Sequence, residues 1–204
     1  MQKMLLTFIA PLLPLGAVSL GIPQGTDPEV RVFKVEDRLF PETAYNSRNR
    51  PSNVEIDTIV YHNICMPSDN ESEVHACTGP DSYRYDADSV ISLLQRYPWA
   101  SAHYLIDRDG NIYRLVREER KAHHAGRSYL AATGRSGYND FSIGIELINA
   151  KNDSATEAQY IALQWLVADI RTRHEIIEVV GHGQIASDRR EDPYNFDWER
   201  VADW

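Results

Sequence analysis

The run IDTIVYHN, Ile56 to Asn63, constrains this chain more than any other stretch. It is apolar and β-branched at positions that point to both sides of a strand. Such a run belongs in the interior of a sheet that is covered on both faces. FSIGIELIN, Phe141 to Asn149, is read as another strand, and IIEVV, Ile176 to Val180, as the last one. A sheet with two buried faces needs helices to cover it. DADSVISLLQRY, Asp86 to Tyr97, has Val90, Ile91, Leu93 and Leu94 at helical spacing, Asp86 or Asp88 as N-cap, and Pro98 as a stop. TEAQYIALQWLVADIRTRH, Thr156 to His174, is an amphipathic helix. Thr156 and Gln159 resemble a capping box at its start, and Tyr160, Leu163, Val167 and Ile170 line its buried face with Trp165 on the flank. HYLIDRDGNIYRLV reads as a hairpin turning at Asp109-Gly110-Asn111.

The order is therefore strand, helix, hairpin, strand, helix, strand. It predicts an α/β fold of one domain, a mixed central β-sheet flanked by α-helices. The chain of 204 residues is long enough for one such core. Residues 26–50 are polar and irregular and are read as an extended lead-in, with the domain proper over 51–204. No internal repeat is visible. A polar stretch from Pro67 to Tyr85 reads as a long loop, the kind that is often functional in a compact domain.

Residues 1–25 have a different character. Lys3 is the only charge before Asp27, and the stretch between is apolar and ends in small residues. That is the pattern of a secretory signal, cut roughly after Ser19. An uncleaved membrane anchor is the alternative, weakened by Pro11 and Pro14. A buried terminal helix is the third reading. Export, to the periplasm or beyond, suits the two cysteines. Cys65 and Cys77 are the only pair, and an oxidising compartment would join them. A bridge closing so short a loop contributes roughly 3 kcal/mol in the chain-entropy model. The alternative is two free thiols. The net charge of -9 and the lack of any basic run exclude nucleic acid as a partner. A monomer is the default expectation.

Two histidines stand where apolar strands give way to loop: His62 in IVYHN and His182 in VVGHG. Adjacent strands would set their imidazoles side by side. Asp192 follows His182 by ten residues and precedes Pro193. Two histidines and a carboxylate leave a fourth position for water, the arrangement of a catalytic zinc. There are seven histidines, and His103, His123 and His124 compete for the same role. His75 lies in the long loop, and His174 ends a helix, where a positive charge suits the dipole. A lone histidine at a strand end is more often structural.

A wider pattern favours the metal. IVYHN, SAHYLIDRDGNIYRLV, HHAG, NDFSIGIELIN, TEAQY, GHGQIASDRREDP and FDW follow one another from about Asn53 to Trp198. Together they resemble the zinc-dependent N-acetylmuramoyl-L-alanine amidases of the type 2 class, the family that includes the peptidoglycan recognition proteins. The resemblance implies that His62, His182 and Asp192 bind Zn2+, and that Glu146 is the acidic catalytic residue. Glu146 alternates with Ile145 and Leu147 and so points away from them. Arg190 stands where related bacterial enzymes often carry lysine, and is implied to stabilise an oxyanion, although it is bulkier and forks its donors. Asn63 and His124 are implied to contact substrate. HHAG departs from the family's WHAG, with His123 in place of the tryptophan. The activity implied is hydrolysis of the amide between N-acetylmuramic acid and L-alanine in peptidoglycan or muropeptides. A peptidoglycan-binding protein without activity, or a metal hydrolase of another amide, are the rival readings.

Overall fold

The computed structural model describes residues 32–42, 47–66, 85–97 and 99–201. The N-terminal stretch and most of the loop containing Cys77 lie outside the described residues, as does His75. Among the described residues no helix is long and apolar enough to cross a membrane.

Among the described residues there are ten strands and three α-helices: β1 (Val35–Asp37), β2 (Ser47–Asn49), β3 (Thr58–Ile64), α1 (Ala87–Arg96), β4 (Tyr104–Ile106), β5 (Ile112–Arg114), β6 (Arg120–Ala122), β7 (Tyr129–Leu130), β8 (Arg135–Ser136), β9 (Ser142–Ile148), α2 (Glu157–Arg171), β10 (Glu178–Gly181) and α3 (His182–Ile185). Six strands form the central sheet in the order β1-β5-β4-β9-β3-β10. The β4–β5 pair is antiparallel, and all its other neighbours are parallel. This is the mixed sheet that the element order implies. β3 and β9, the two apolar runs, lie at its centre and are buried along their whole length.

Alternation sorts the two faces. Ile59 and Tyr61 of β3 and Ile143, Ile145 and Leu147 of β9 pack against Tyr160, Leu163, Leu166, Val167 and Ile170 of α2. Trp165 flanks that layer and stacks on Phe33 at 5.5 Å. On the opposite face, Ile64, Leu105 and Ile148 pack against Val90, Ile91 and Leu94 of α1. Val60 and Val180 of the same face meet Ala125, Tyr138 and Ile185. Between these two apolar clusters the second face carries His62 and Glu146, which are register partners.

Local signals place the helix starts. The Asp86 side chain accepts from Ser89 N at 2.8 Å, and Thr156 with Gln159 forms the complete capping box. The hairpin turns where expected, with Gly110 at φ 77° and Asp107 Oδ1 accepting from the N–H groups of Asp109 and Asn111.

Three features differ from the sequence reading. The stretch 26–50, read as a lead-in, supplies β1 to the edge of the central sheet and β2 to a separate ladder with β6. Both strands have three residues, too few to show an alternation. A further two-stranded hairpin, β7–β8, lies in sequence that carries no strand pattern. Helix α2 stops at Arg171 rather than reaching His174. The next residues turn out of the helix, and Arg173 and His174 both bond the buried carboxylate of Glu118, each at 2.8 Å.

Glu118 gives a prediction about stability. It also accepts the Tyr104 hydroxyl at 2.6 Å. Burial on its own would raise its pKa, but the donors from Arg173, Tyr104 and His174 outweigh this and bring it down to about 2. A depressed folded-state pKa stabilises the fold above the unfolded value of 4.5, and that gain is lost as pH falls towards 2. We expect Glu118→Gln to forfeit about 3 kcal/mol at neutral pH. Urea denaturation across pH checks this. A difference between parent and variant that does not shrink below the ordinary glutamate range would disprove it.

Candidate metal centre

Three chain segments bring the centre together. β3 presents His62 from inside the sheet, two residues before the strand ends. β10 runs parallel to β3 with Gly181 opposite Tyr61, so the chain leaves the sheet level with His62. The next residue is His182, the first of α3.

Asp192 is folded back onto that turn. Gly183 N–H donates to the Asp192 carbonyl at 2.7 Å. The GHG sequence is what permits the approach. A Cβ on Gly183 would sit 2.9 Å from the Glu191 carbonyl carbon, and a Cβ on Gly181 would sit 2.8 Å from Pro193 Cδ. Both are closer than real Cβ contacts come, so a side chain at either position would push Asp192 away from His182. The Asp192–Pro193 peptide is cis. Arg189 ties the same loop to the HHAG segment, its Nη2 donating to Ala125 O at 2.6 Å and Arg127 O at 2.7 Å.

The result is one buried group. Donor atoms of His62, His182 and Asp192 lie within 4.8 Å of one another. His182 Nδ1 is 3.3 Å and His62 Nδ1 is 3.4 Å from Asp192 Oδ2. The group excludes His103, His123 and His124. Burial alone would raise the Asp192 pKa, but the two imidazoles outweigh it and hold the carboxylate below its usual range. Asp192 Oδ1 is buried and has no hydrogen-bond partner among the described residues. A buried carboxylate oxygen left over in this way is costly unless something binds it. Two imidazole nitrogens and a carboxylate oxygen are a donor set that suits zinc. The residues fit a metal ion.

Glu146 faces the same interior. It is 3% exposed, and its Oε2 has no hydrogen-bond partner among the described residues. Burial pushes its pKa well above the ordinary glutamate range, the Asp192 charge pushes the same way, and the Arg190 charge opposes them. Arg190 lies in the turn after α3, its backbone N–H bonded to Ala186 O at 2.9 Å. The charges of Asp192 and Arg190 thus both act on Glu146, in opposite directions.

Asn63 and His124, expected to contact substrate, both make hydrogen bonds within the protein. Asn63 follows His62 in the strand, so its side chain projects from the opposite face. Its amide oxygen accepts from Tyr194 N–H and its amide nitrogen donates to the His62 carbonyl, both at 3.1 Å. It therefore pins the loop that carries Asp192. His124 is buried behind His62, with Nδ1 3.0 Å from His62 Nε2 and Nε2 3.2 Å from Ser142 Oγ. Both ring nitrogens are engaged within the protein. Burial, then the neighbouring His62, pushes the His124 pKa well below the ordinary histidine value.

A cleft of about 1100 Å³ lies at the other ends of these strands, lined in part by Asp57, Glu118, Arg173 and His174. Arg50, Asp57, Glu118, Arg173 and His174 of its lining are engaged in structural bonds. The Arg50 guanidinium donates to the carbonyls of Glu118, Asp140 and Ser142, and Arg135 pairs with Asp57 nearby.

Known proteins are similar to this chain in sequence and fold. An AmpD, 1,6-anhydro-N-acetylmuramyl-L-alanine amidase of Citrobacter freundii, is 35% identical over 174 residues, covering 81% of this chain and 88% of that protein. A crystal structure of an AmpD superposes with TM-score 0.63 at 32% identity, covering 85% of this chain and 95% of the other. The amidase AmiD from E. coli, solved in complex with the substrate anhydro-N-acetylmuramic acid-L-Ala-D-gamma-Glu-L-Lys, gives 0.58 at 29% identity over 76% of this chain and 60% of the other. Residues 52–195, which hold every residue of the centre, match the N-acetylmuramoyl-L-alanine amidase family as a whole, and the chain belongs to that family.

Proposed function

We propose that the chain is a zinc-dependent amidase acting on peptidoglycan or its fragments. It cleaves the amide between the lactyl group of N-acetylmuramic acid and L-alanine. The observation that carries this reading is the buried His62, His182 and Asp192 group with buried Glu146 beside it on the same sheet face.

His62, His182 and Asp192 would hold the ion. Zinc, when bound, supplies a Lewis acid and lowers the pKa of water to about 7. Glu146 takes a proton from the attacking water at its carboxylate and returns it to the nitrogen of L-alanine as the C–N bond breaks. Its burial away from water makes it a stronger base than an exposed glutamate. Arg190 offsets the negative charge that develops on the carbonyl oxygen. The hydroxyl of water ends on the lactyl carbon and its proton on the amine.

Incubating purified protein with defined muropeptides and weighing the products tests this. Free sugar and intact stem peptide are expected. A cut at another amide would reassign the substrate bond. Bound but uncut muropeptide would make the chain a binding protein of the same fold.

Residues 1–25 are read as an export signal or anchor, on the strength of Lys3 and the apolar run after it. The intact mass of protein recovered outside the cytoplasm decides between them. In an exported chain Cys65, which is buried, and Cys77 would pair. Two titratable thiols in the denatured, unreduced protein would exclude that bridge.

A further inference from the structure

Four imidazoles stand in a row through the sheet face. Ring centroids are 4.6 Å apart for His182 and His62, 5.1 Å for His62 and His124, and 5.7 Å for His124 and His103. The link between His62 and His124 joins two rings that can each donate or accept. A group at the far end of the chain of bonds decides which does which.

That group is the backbone carbonyl of Tyr138. Ser142 Oγ donates to it. A carbonyl oxygen can only accept, so the single hydroxyl proton of Ser142 is committed there. Ser142 Oγ must then accept from His124 Nε2–H, at 3.2 Å. His124 is buried and no carboxylate is among these partners, so it is neutral and its Nδ1 carries a lone pair. Nδ1 accepts from His62 Nε2–H, at 3.0 Å. The His62 proton is thus committed at Nε2, and Nδ1 is the nitrogen that faces Asp192 Oδ2, at 3.4 Å. Running the bonds the other way would set the Ser142 and Tyr138 oxygens lone pair to lone pair. It would also put a proton on the His62 atom that a metal needs.

We propose that His124 and Ser142 are positioning residues that commit His62 Nε2 as an N–H donor, so that Nδ1 is the nitrogen left for the metal. Metal-binding histidines commonly donate their second N–H to a carboxylate, carbonyl or water. Here the acceptor is a neutral imidazole, relayed through a hydroxyl to a carbonyl.

Independent features seat the relay ring. A Cβ on Gly144 would lie 2.4 Å from His124 Cγ and 2.7 Å from its Nδ1, so glycine makes the room. Asn139 Oδ1 accepts the N–H groups of His124 at 3.0 Å and Ala125 at 2.8 Å. The HHAG and NDFSIGIE segments thus converge on one ring, which in turn orients His62.

The inference rests on His62 being a metal ligand, but its first test does not. In 15N-labelled, metal-free protein, long-range proton–nitrogen correlations read the histidine tautomers directly. His62 and His124 are both expected as Nε2–H. A bare Nε2 on either ring, or a proton on His124 Nδ1, would overturn the relay, whatever metal binds. Zinc affinity, measured by competition with a chelator, is the second readout. His124→Leu is expected to weaken it about 10- to 100-fold. His124→Asn places an amide oxygen near the Nδ1 position and is expected to recover most of the loss. Parent affinity in H124L, or no recovery in H124N, would reduce the ring to packing and overturn the proposal. If H124L does not fold, Ser142→Ala decides: a mixed His62 tautomer supports the relay and an unchanged one refutes it. A parent that takes up no zinc while showing the expected tautomers would sink the metal reading alone.

Discussion

Replacing Glu146 with glutamine is expected to lower the turnover of a muropeptide by about 10²- to 10⁴-fold while leaving the fold and the metal content unchanged. Glutamine keeps the size and shape of the side chain and cannot take up a proton. The loss falls on kcat, because the proton moves only as the reaction proceeds. Stability should not suffer. Glu146 is buried, and burial works against its ionised form, so removing the charge removes a strain on the native state. Steady-state kinetics, metal analysis and a denaturation midpoint on the same preparation check all three parts. A fall of less than about tenfold would remove Glu146 from the reaction, since general-base catalysis contributes more than that.

The second large effect concerns the metal. Treating the protein with a strong chelator, or making Asp192→Ala, is expected to reduce hydrolysis by about a thousandfold, the equivalent of about 4 kcal/mol in the barrier. The two routes differ in reversal. Added zinc should restore the chelated parent, whose three donors are intact. It should not restore the variant, in which His62 and His182 have lost the carboxylate both of them face. Element analysis before and after add-back gives the stoichiometry. Full activity in a metal-free preparation would refute the zinc reading and leave the buried group as a structural cluster.

The parts of this protein that could be read from its sequence are those whose causes are local. β3 and β9 are continuous apolar runs, α2 opens on a capping box, and the β4–β5 turn contains Asp107 and Gly110. Each pattern is complete within a few residues. The short strands β1, β2, β7 and β8 were not legible, because two or three residues cannot show an alternation and their pairing partners lie elsewhere in the chain. The end of α2 was misjudged for a related reason. Arg173 and His174, just past the helix end, bond Glu118, which lies 55 and 56 positions away.

The site divides along the same line. His62, His182, Asp192 and Glu146 were legible as residue types at strand ends and on alternating positions, within a family pattern. Period two also put Asn63 on the far side of β3 from His62, so its inward role could have been read from the strand alone. His124 could not. Its sequence context allows a ligand, a substrate contact or a surface residue equally. What assigns it is the position of Ser142 and His62, 18 and 62 residues distant, around the space left by Gly144.

The sequence by itself therefore determined the sheet, its covering helices and the chemical types available at one end of it, because hydrophobic period and capping act over neighbouring residues. Only the tertiary structure decided which histidines meet the carboxylate and which stand behind them. Those contacts join β3, β9, the HHAG segment and the turn after β10, and hydrogen-bond direction and close packing across such distances are fixed only when the chain has folded.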